Sequence, residues 1–264
     1  MESVSLSLPK KPKVVEKSDS RAVIEISELY PGFGSTIGNA LRRALYASLP
    51  GAAITSVKIA GVPHEFSTID GVLEDGIELS LNLKQIRLKL HGSEPRTLKL
   101  KVKGPKDIKA GDIETPSQVE IINKDLHIAS ITSPKTTFEM ELKVESGLGY
   151  VQNQEDEEKK EIGVISLDSV FTPVKKVNFE VENMRVGDRT DYHKLVLEIV
   201  TDGTIDPEDA FEHAVGVLVN HFNVLQELQG KKKKKVATKK KATAKKTATK
   251  KTTAKKKPAA KKKK

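Results

Sequence analysis

The spacing of apolar positions changes several times along the chain. In RAVIEISEL (21–29) apolar and polar residues alternate, which predicts a strand. Pro31-Gly32 marks a turn, and from about Ser35 to Leu49 the spacing becomes helical, with Ser35 or Thr36 as cap and Pro50-Gly51 as stop. At 100° per residue, Ile37, Ala40, Leu41, Ala44, Leu45 and Ser48 share one face, while Asn39, Arg42, Arg43 and Tyr46 share the opposite one. From 52 to 168 the pattern is mostly that of strands. ITSVKIAGVPHEF predicts strand, turn and strand; IRLKL, TLKLKVKG, QVEIIN, LHIASI and FEMELKVES are β-formers separated by Gly, Pro, Asn and Asp. Within 72–86, Leu73, Ile77, Leu81 and Leu79 predict a short helix that Gly76 weakens by up to ~1 kcal/mol. QNQEDEEKKE (152–161) predicts a charged, exposed loop. The strands VISLDSVF, VKKVNFEVENMRV and YHKLVLEIVTDG precede a second long helix, 207–228, with Asp206 as N-cap, Pro207 at its first position and Glu208 and Asp209 toward its positive end. Its apolar residues Phe211, Ala214, Val215, Leu218, Val219, Phe222 and Leu225 run at helical spacing, and Val217 and Val224 widen the stripe. A face that wide suits packing against more than one neighbour, a second subunit among them.

Charge divides the chain in two. The net charge is +10, but residues 231–264 hold 19 lysines and no acid, which leaves the preceding 230 residues at −9. This Lys/Ala/Thr tail has almost nothing to bury and is expected to be disordered. Cysteine is absent, which removes disulfides and thiolate metal sites. No apolar run approaches the ~18 residues of a membrane helix, and MESVSLSLPKKPK lacks the apolar stretch of a secretory signal. A cytoplasmic location is expected.

Catalytic patterns are thin. Gly34-Ser-Thr-Ile-Gly38 is followed by Asn39 rather than the lysine of a Walker A loop. The glycines also miss the Gly-x-Gly-x-x-Gly spacing, and no acidic residue follows about 20 positions on in a βαβ unit. Their alternative role is to let the chain turn and the helix lie close to a neighbouring backbone. The histidines at 64, 91, 127, 193, 213 and 221 show no ligand spacing. No G-x-S-x-G elbow occurs. No catalytic and no metal-binding residue is assigned.

Two long stretches carry a resemblance. GFGSTIGNALRRALYASLPGAAITSVKIAGVPHEFSTIDGVLED (32–75), followed by LNLK at 81–84, and TPVKKVNFEVENMRVGDRTDYHKLVLEIVTDGTIDPEDA (172–210) resemble the alpha-subunit family of bacterial RNA polymerase, over about residues 5–228. The departures are mild: Ser35 where the family often has His, Tyr46 where it often has Leu, Phe66 where it often has Tyr, and Tyr192-His193.

The resemblance implies an α+β fold. A discontinuous dimerisation domain (1–50 and 170–228, a sheet with two long helices) would surround an inserted β-rich domain (51–169), ahead of the tail (229–264). It implies a homodimer that scaffolds the beta and beta-prime subunits, one copy meeting each. The implied beta surface holds Asn39, Arg42, Arg43, Tyr46, His64, Glu65 and Phe66, with Arg43 foremost because a guanidinium can bond a carboxylate bidentately. The implied beta-prime surface holds Lys84, Asp168, Val170, Thr172, Pro173 and Val174. The implied dimer contact holds Phe33, Ile37, Leu41, Leu45, Phe211, Val215, Leu218 and Phe222. The complex would be a magnesium-dependent nucleotidyltransferase whose chemistry lies in the large subunits, with no cofactor in this chain.

Plainer readings stay open: Arg42 in a local pair, His64 in a loop hydrogen bond, Phe66 in the core, Lys84 in solvent. The tail stands where the family usually has a globular DNA-binding domain. Its lysines, among them Lys231, Lys232, Lys239, Lys245 and Lys255, suit non-specific, salt-dependent contact with DNA phosphates and a nucleoid association. The rival reading is a free-standing, basic-tailed chromatin protein.

Overall fold

The computed structural model describes residues 6–152 and 163–226. The expected loop at 152–161, apart from Gln152, and the lysine tail with Lys231, Lys232, Lys239, Lys245 and Lys255 lie outside the described residues.

In chain order the elements are β1 (Lys13–Ser18), β2 (Arg21–Leu29), α1 (Phe33–Ala47), β3 (Pro50–Ile59), α2 (Gly76–Lys84), β4 (Leu88–Leu90), β5 (Arg96–Lys103), β6 (Lys106–Lys109), β7 (Val119–Ile121), β8 (His127–Ile131), β9 (Thr137–Leu148), β10 (Tyr150–Val151), β11 (Val164–Ser166), β12 (Ser169–Val170), β13 (Val174–Val186), β14 (Arg189–Thr201) and α3 (Pro207–Gln226). Strands thus outnumber helices in an α+β fold.

Two sheets serve two cores. The first is antiparallel in the order β1-β2-β14-β13. Its inward residues Ile24, Ile26, Val177, Leu195, Leu197 and Ile199 pack with Leu41, Leu45 and Leu49 from the α1 segment and Ala210 and Ala214 from α3. The second sheet runs β5-β9-β3-β4-β7, with β11 also on β3. Its core takes Leu79 and Leu83 from α2 together with Ile54, Val57, Leu98, Leu100, Phe138 and Leu142. Two short ribbons, β6–β8 and β10–β12, complete the described part.

The chain passes between the sheets twice, at 48–50 and at 171–174, and the two crossings touch. A Cβ on Gly51 would lie 1.7 Å from the Phe171 carbonyl oxygen, so only glycine fits there. Phe171, 6% exposed, anchors the second crossing.

Several elements differ from the sequence expectation. Residues 13–18, ahead of the first strand the pattern predicts, also form a strand; all six are exposed, so no alternation exists to reveal it. The second strand expected around PHEF is an irregular loop, 62–75. Helix α1 begins at Phe33, with Gly32 in the left-handed region (φ 89°) as its cap. Ser35 and Thr36 therefore sit inside the first turn and donate back to the Gly32 carbonyl at 3.3 and 3.2 Å. In α2 the inward face is Leu79 and Leu83, whereas Leu73, Ile77 and Leu81 are 73%, 40% and 53% exposed. The expected cap of α3 is present: Asp206 accepts from the Glu208 N–H at 2.9 Å.

Candidate functional site

Helix α1 is seated on β13 and β14 by small residues. A Cβ on Gly38 would come within 2.6 Å of the Phe179 ring, and one on Gly34 within 2.7 Å of Val181 Cγ1 and 2.9 Å of His193 Nδ1. The glycines that resemble a phosphate loop thus serve close packing of helix on sheet.

The outer face of α1 carries Asn39, Arg42, Arg43 and Tyr46, all exposed. Asn39 donates to the Ser35 carbonyl at 3.0 Å and accepts from Arg42 at 3.2 Å. The Arg42 guanidinium also lies 5.2 Å from the Phe179 ring centroid, a cation–π arrangement. The Tyr46 hydroxyl accepts from the Val177 N–H at 2.8 Å. Val177 is on β13, an edge strand, so Tyr46 satisfies an outward amide of that edge. Arg43 differs from these three: its guanidinium has no hydrogen-bond, ion-pair or ring partner among the described residues. None of its five N–H donors is engaged by the described residues.

The residues expected at a dimer contact divide by burial. Leu41 and Leu45 are 3% and 0% exposed inside the first core, so their side chains cannot meet a second copy. A helical stripe looks the same in sequence whether a sheet or a symmetry mate covers it, and here the sheet does. Ile37, Phe211, Val215 and Leu218 are half-buried, packed on the same core. Phe33 and Phe222 are 44% and 63% exposed.

A second surface forms around loop 62–75 and α2. The buried Glu74 pins the loop: its carboxylate accepts from the Ser130 N–H at 2.7 Å and lies 2.8 Å from His127 Nε2. Burial pushes the Glu74 carboxyl up, but the Ser130 amide and His127 outweigh it and hold it below the usual range. Asp75 then caps α2 by accepting from the Glu78 N–H at 2.8 Å. His64 makes a local hydrogen bond with Ser67, Nδ1 to Oγ at 3.1 Å. Phe66 is not a core residue: it stands 71% exposed.

Lys84 Nζ lies 3.6 Å from Asp168 Oδ2, and both side chains keep more than a third of their surface in solvent. Glu65, Phe66, Ile77, Leu81, Lys84 and Asp168 line one cleft of about 360 Å³. Glu65 and Phe66, expected at one partner's surface, thus share a cleft with Lys84 and Asp168, expected at the other's. No hydrogen bond, ion pair or ring contact joins this group to Asn39, Arg42, Arg43 or Tyr46 among the described residues.

The stretch 165–174 alternates. Ile165, Leu167, Ser169, Phe171 and Pro173 point inward, and Ser166, Asp168, Val170 and Thr172 outward. Pro173 is therefore buried, and Val174, 3% exposed, belongs to the first core. Neither side chain can serve as a contact residue, although their neighbours Val170 and Thr172 can. Sequence reasoning also passed over Leu148, Tyr150 and Val151, which are exposed beside Val170; a two-residue strand leaves no period to detect.

Among the described residues, no three His, Asp or Glu side chains cluster as a metal site, and no helix is long and apolar enough to cross a membrane.

Comparison with known proteins adds names to this geometry. A family model described as the RNA polymerase Rpb3/RpoA insert domain matches residues 57–172. The chain is 48% identical over 226 residues to a DNA-directed RNA polymerase subunit alpha of Syntrophomonas wolfei, covering 83% of this chain and 71% of that protein. It is 45% identical over 218 residues to the like-named protein of Aquifex aeolicus, covering 82% and 69%. It is 47% identical over 223 residues to that of Clostridium botulinum, covering 83% and 70%.

Proposed function

The chain belongs to the alpha-subunit family of DNA-directed RNA polymerase, and from that premise we propose that it acts as a homodimeric scaffold on which the beta and beta-prime subunits assemble. The observation that carries the reading is Arg43: a rigidly seated helix holds out one guanidinium with no partner among the described residues. In this reading Arg43 takes a carboxylate or backbone carbonyls of the beta subunit, while Asn39 and Arg42 hold the flank of the helix. Tyr46 positions α1 on β13 and makes at most an edge contact.

The first core and its sheet form the dimerisation unit, with Phe33 and Phe222 offered to the second copy. The match of the insert-domain model to 57–172 supports reading the second core as an inserted domain. The chain itself contributes no catalytic group; magnesium and nucleotide chemistry belong to the large subunits. Its family makes a free-standing chromatin protein the poorer account. The place of work is the cytoplasm, at the nucleoid.

Co-expression of the full chain with the beta and beta-prime subunits of the same cell tests this, read by size exclusion with light scattering. The scaffold reading expects a free dimer and, with beta present, a complex holding two copies of this chain. A monomer that ignores beta contradicts it.

The lysine tail is proposed to bind DNA without sequence preference, since its 19 ammonium groups would displace counterions from phosphates and no aromatic residue is present to stack on bases. In filter binding, truncation after Gly230 should weaken DNA affinity and flatten its salt dependence, which runs near −0.9 in log–log slope per phosphate neutralised. Unchanged affinity and slope would contradict it.

A further inference from the structure

His193 stands where the chain departs from the family it resembles, and none of the expected contact sets includes it. On β14 it continues the inward row of Leu195, Leu197 and Ile199. An imidazole thus occupies a place against α1 that the alternation gives to an apolar side chain. The residue is half-buried, but its Nδ1 is fully buried and has no hydrogen-bond partner among the described residues. That atom lies against the first turn of α1, since a Cβ on Gly34 would come within 2.9 Å of it.

The surroundings suit a lone pair on Nδ1 better than a proton. The start of α1 is the positive end of its dipole, and it has neither a side-chain cap nor an acidic residue in its first turn. On β13 His193 lies opposite Asn183, and on β2 opposite Leu29. Glu28, the residue before Leu29, is held by Lys10 at 2.6 Å. Glu182, next to Asn183, is held by Lys194 at 2.5 Å. Asp191 is two residues along β14 on the same side, and its charge does attract a charged His193. Arg189 takes both oxygens of that carboxylate at 3.0 and 2.7 Å, and packs on the rings of Tyr30 and Tyr192. A neutral imidazole with its proton on Nε2 fits this place. An imidazolium would bring an Nδ1–H with no acceptor, and a cation, to the positive end of a helix.

We propose that His193 makes the seating of α1 sensitive to protons. With His193 neutral, the helix lies on β13 and β14 as described; with His193 protonated, the first turn of α1 lifts from the sheet. Gly34 leaves no slack for a smaller response, because the ring already fills the space where its Cβ would be. Asn39, Arg42 and Arg43 follow within two turns, so loosening the start of the helix shifts the face that they form. The inference concerns the seat itself and does not depend on which molecule that face meets.

The test is hydrogen exchange of the full chain from about pH 8 to about pH 5, the range over which imidazoles take up a proton, with rates corrected for intrinsic exchange. The first helix-bonded amides of α1, Ile37 to Leu41, should lose about tenfold or more in protection across that range. Those of α2, Leu79 to Leu83, should keep theirs. His193→Gln and His193→Phe stay uncharged, and each should hold the protection of α1 constant. An unchanged wild type, a loss shared equally by α2, or the same loss in the variants would overturn the proposal. A second measurement needs no variant: nitrogen NMR of the His193 ring at about pH 8 should find the proton on Nε2. A proton on Nδ1 there would overturn the proposal as well.

Discussion

Helix α1 buries Leu41 and Leu45 beneath an outer face of Asn39, Arg42 and Arg43, whereas α2 buries Leu79 and Leu83 beneath an outer face of Ile77 and Leu81, beside Phe66. The inner faces are interchangeable in chemistry; the outer faces are opposites. Exposed guanidinium groups are at ease in water and gain only when a partner supplies an anion or carbonyls, so contacts made through α1 should be directional and weakened by salt. Exposed leucine and isoleucine gain about 25 cal/mol per Å² when covered, whatever the ionic strength, so contacts made through α2 should be tolerant of salt. One chain thus presents two outer faces that would recognise a partner by different physics.

The most damaging way to break this comparison is to exchange inside for outside on α2. Leu79→Ala should cost about 2–5 kcal/mol of stability, while Leu81→Ser, two residues on, should stay within about 0.5 kcal/mol. Urea denaturation measures both, and equal costs would show the two faces of α2 to be wrongly assigned. On α1, Gly38→Ala replaces glycine with the better helix former, yet its Cβ would press on the Phe179 ring at 2.6 Å. The expected net effect is a loss of about 1–3 kcal/mol, against the gain that helix propensity alone predicts. A stabilised variant would mean that α1 does not sit as closely on the sheet as described.

A smaller change sharpens the role of Tyr46. Tyr46→Phe removes the acceptor for the Val177 N–H and should cost about 1 kcal/mol, with faster hydrogen exchange at that amide. Unchanged exchange would place the hydroxyl elsewhere in solution. The smallest effect concerns the loop leading into α2. The Glu74 carboxyl is held below its ordinary value of 4.5, so the ionised form is favoured by folding. Its contribution is present in full above that value and is lost as pH falls through the lowered one. Glu74→Gln should therefore flatten the acid limb of stability below about pH 5. An acid limb identical to wild type would contradict the pinning of the loop by Glu74.

How much of this was legible in the sequence depended on period. Helix α1 declared both of its faces because fifteen residues give four turns of contrast between Leu41 or Leu45 and Arg42 or Arg43. Nine residues of α2 gave two leucine sets of equal weight, and only the fold decides that Leu79 and Leu83 go in. Strand β1 and the β10–β12 ribbon were illegible, the first because every residue is exposed and the second because two residues have no alternation. Burial of Pro173 and Val174 was hidden because the stretch resembled a contact surface while its alternation put every second residue inside. The meeting of Glu65, Phe66 and Lys84 with Asp168 depends on segments about 80–100 positions apart, which no local pattern links.

The account's central claim is that Arg43 is held free for a partner. Wild type and Arg43→Ala should be co-expressed with beta and beta-prime and compared by size exclusion, with thermal melts of both free chains. The account predicts equal melting temperatures and a wild-type complex of two copies with beta, which forms poorly as salt rises, while the variant stays a free dimer. Equal assembly of wild type and variant would contradict it and reduce Arg43 to an ordinary surface residue.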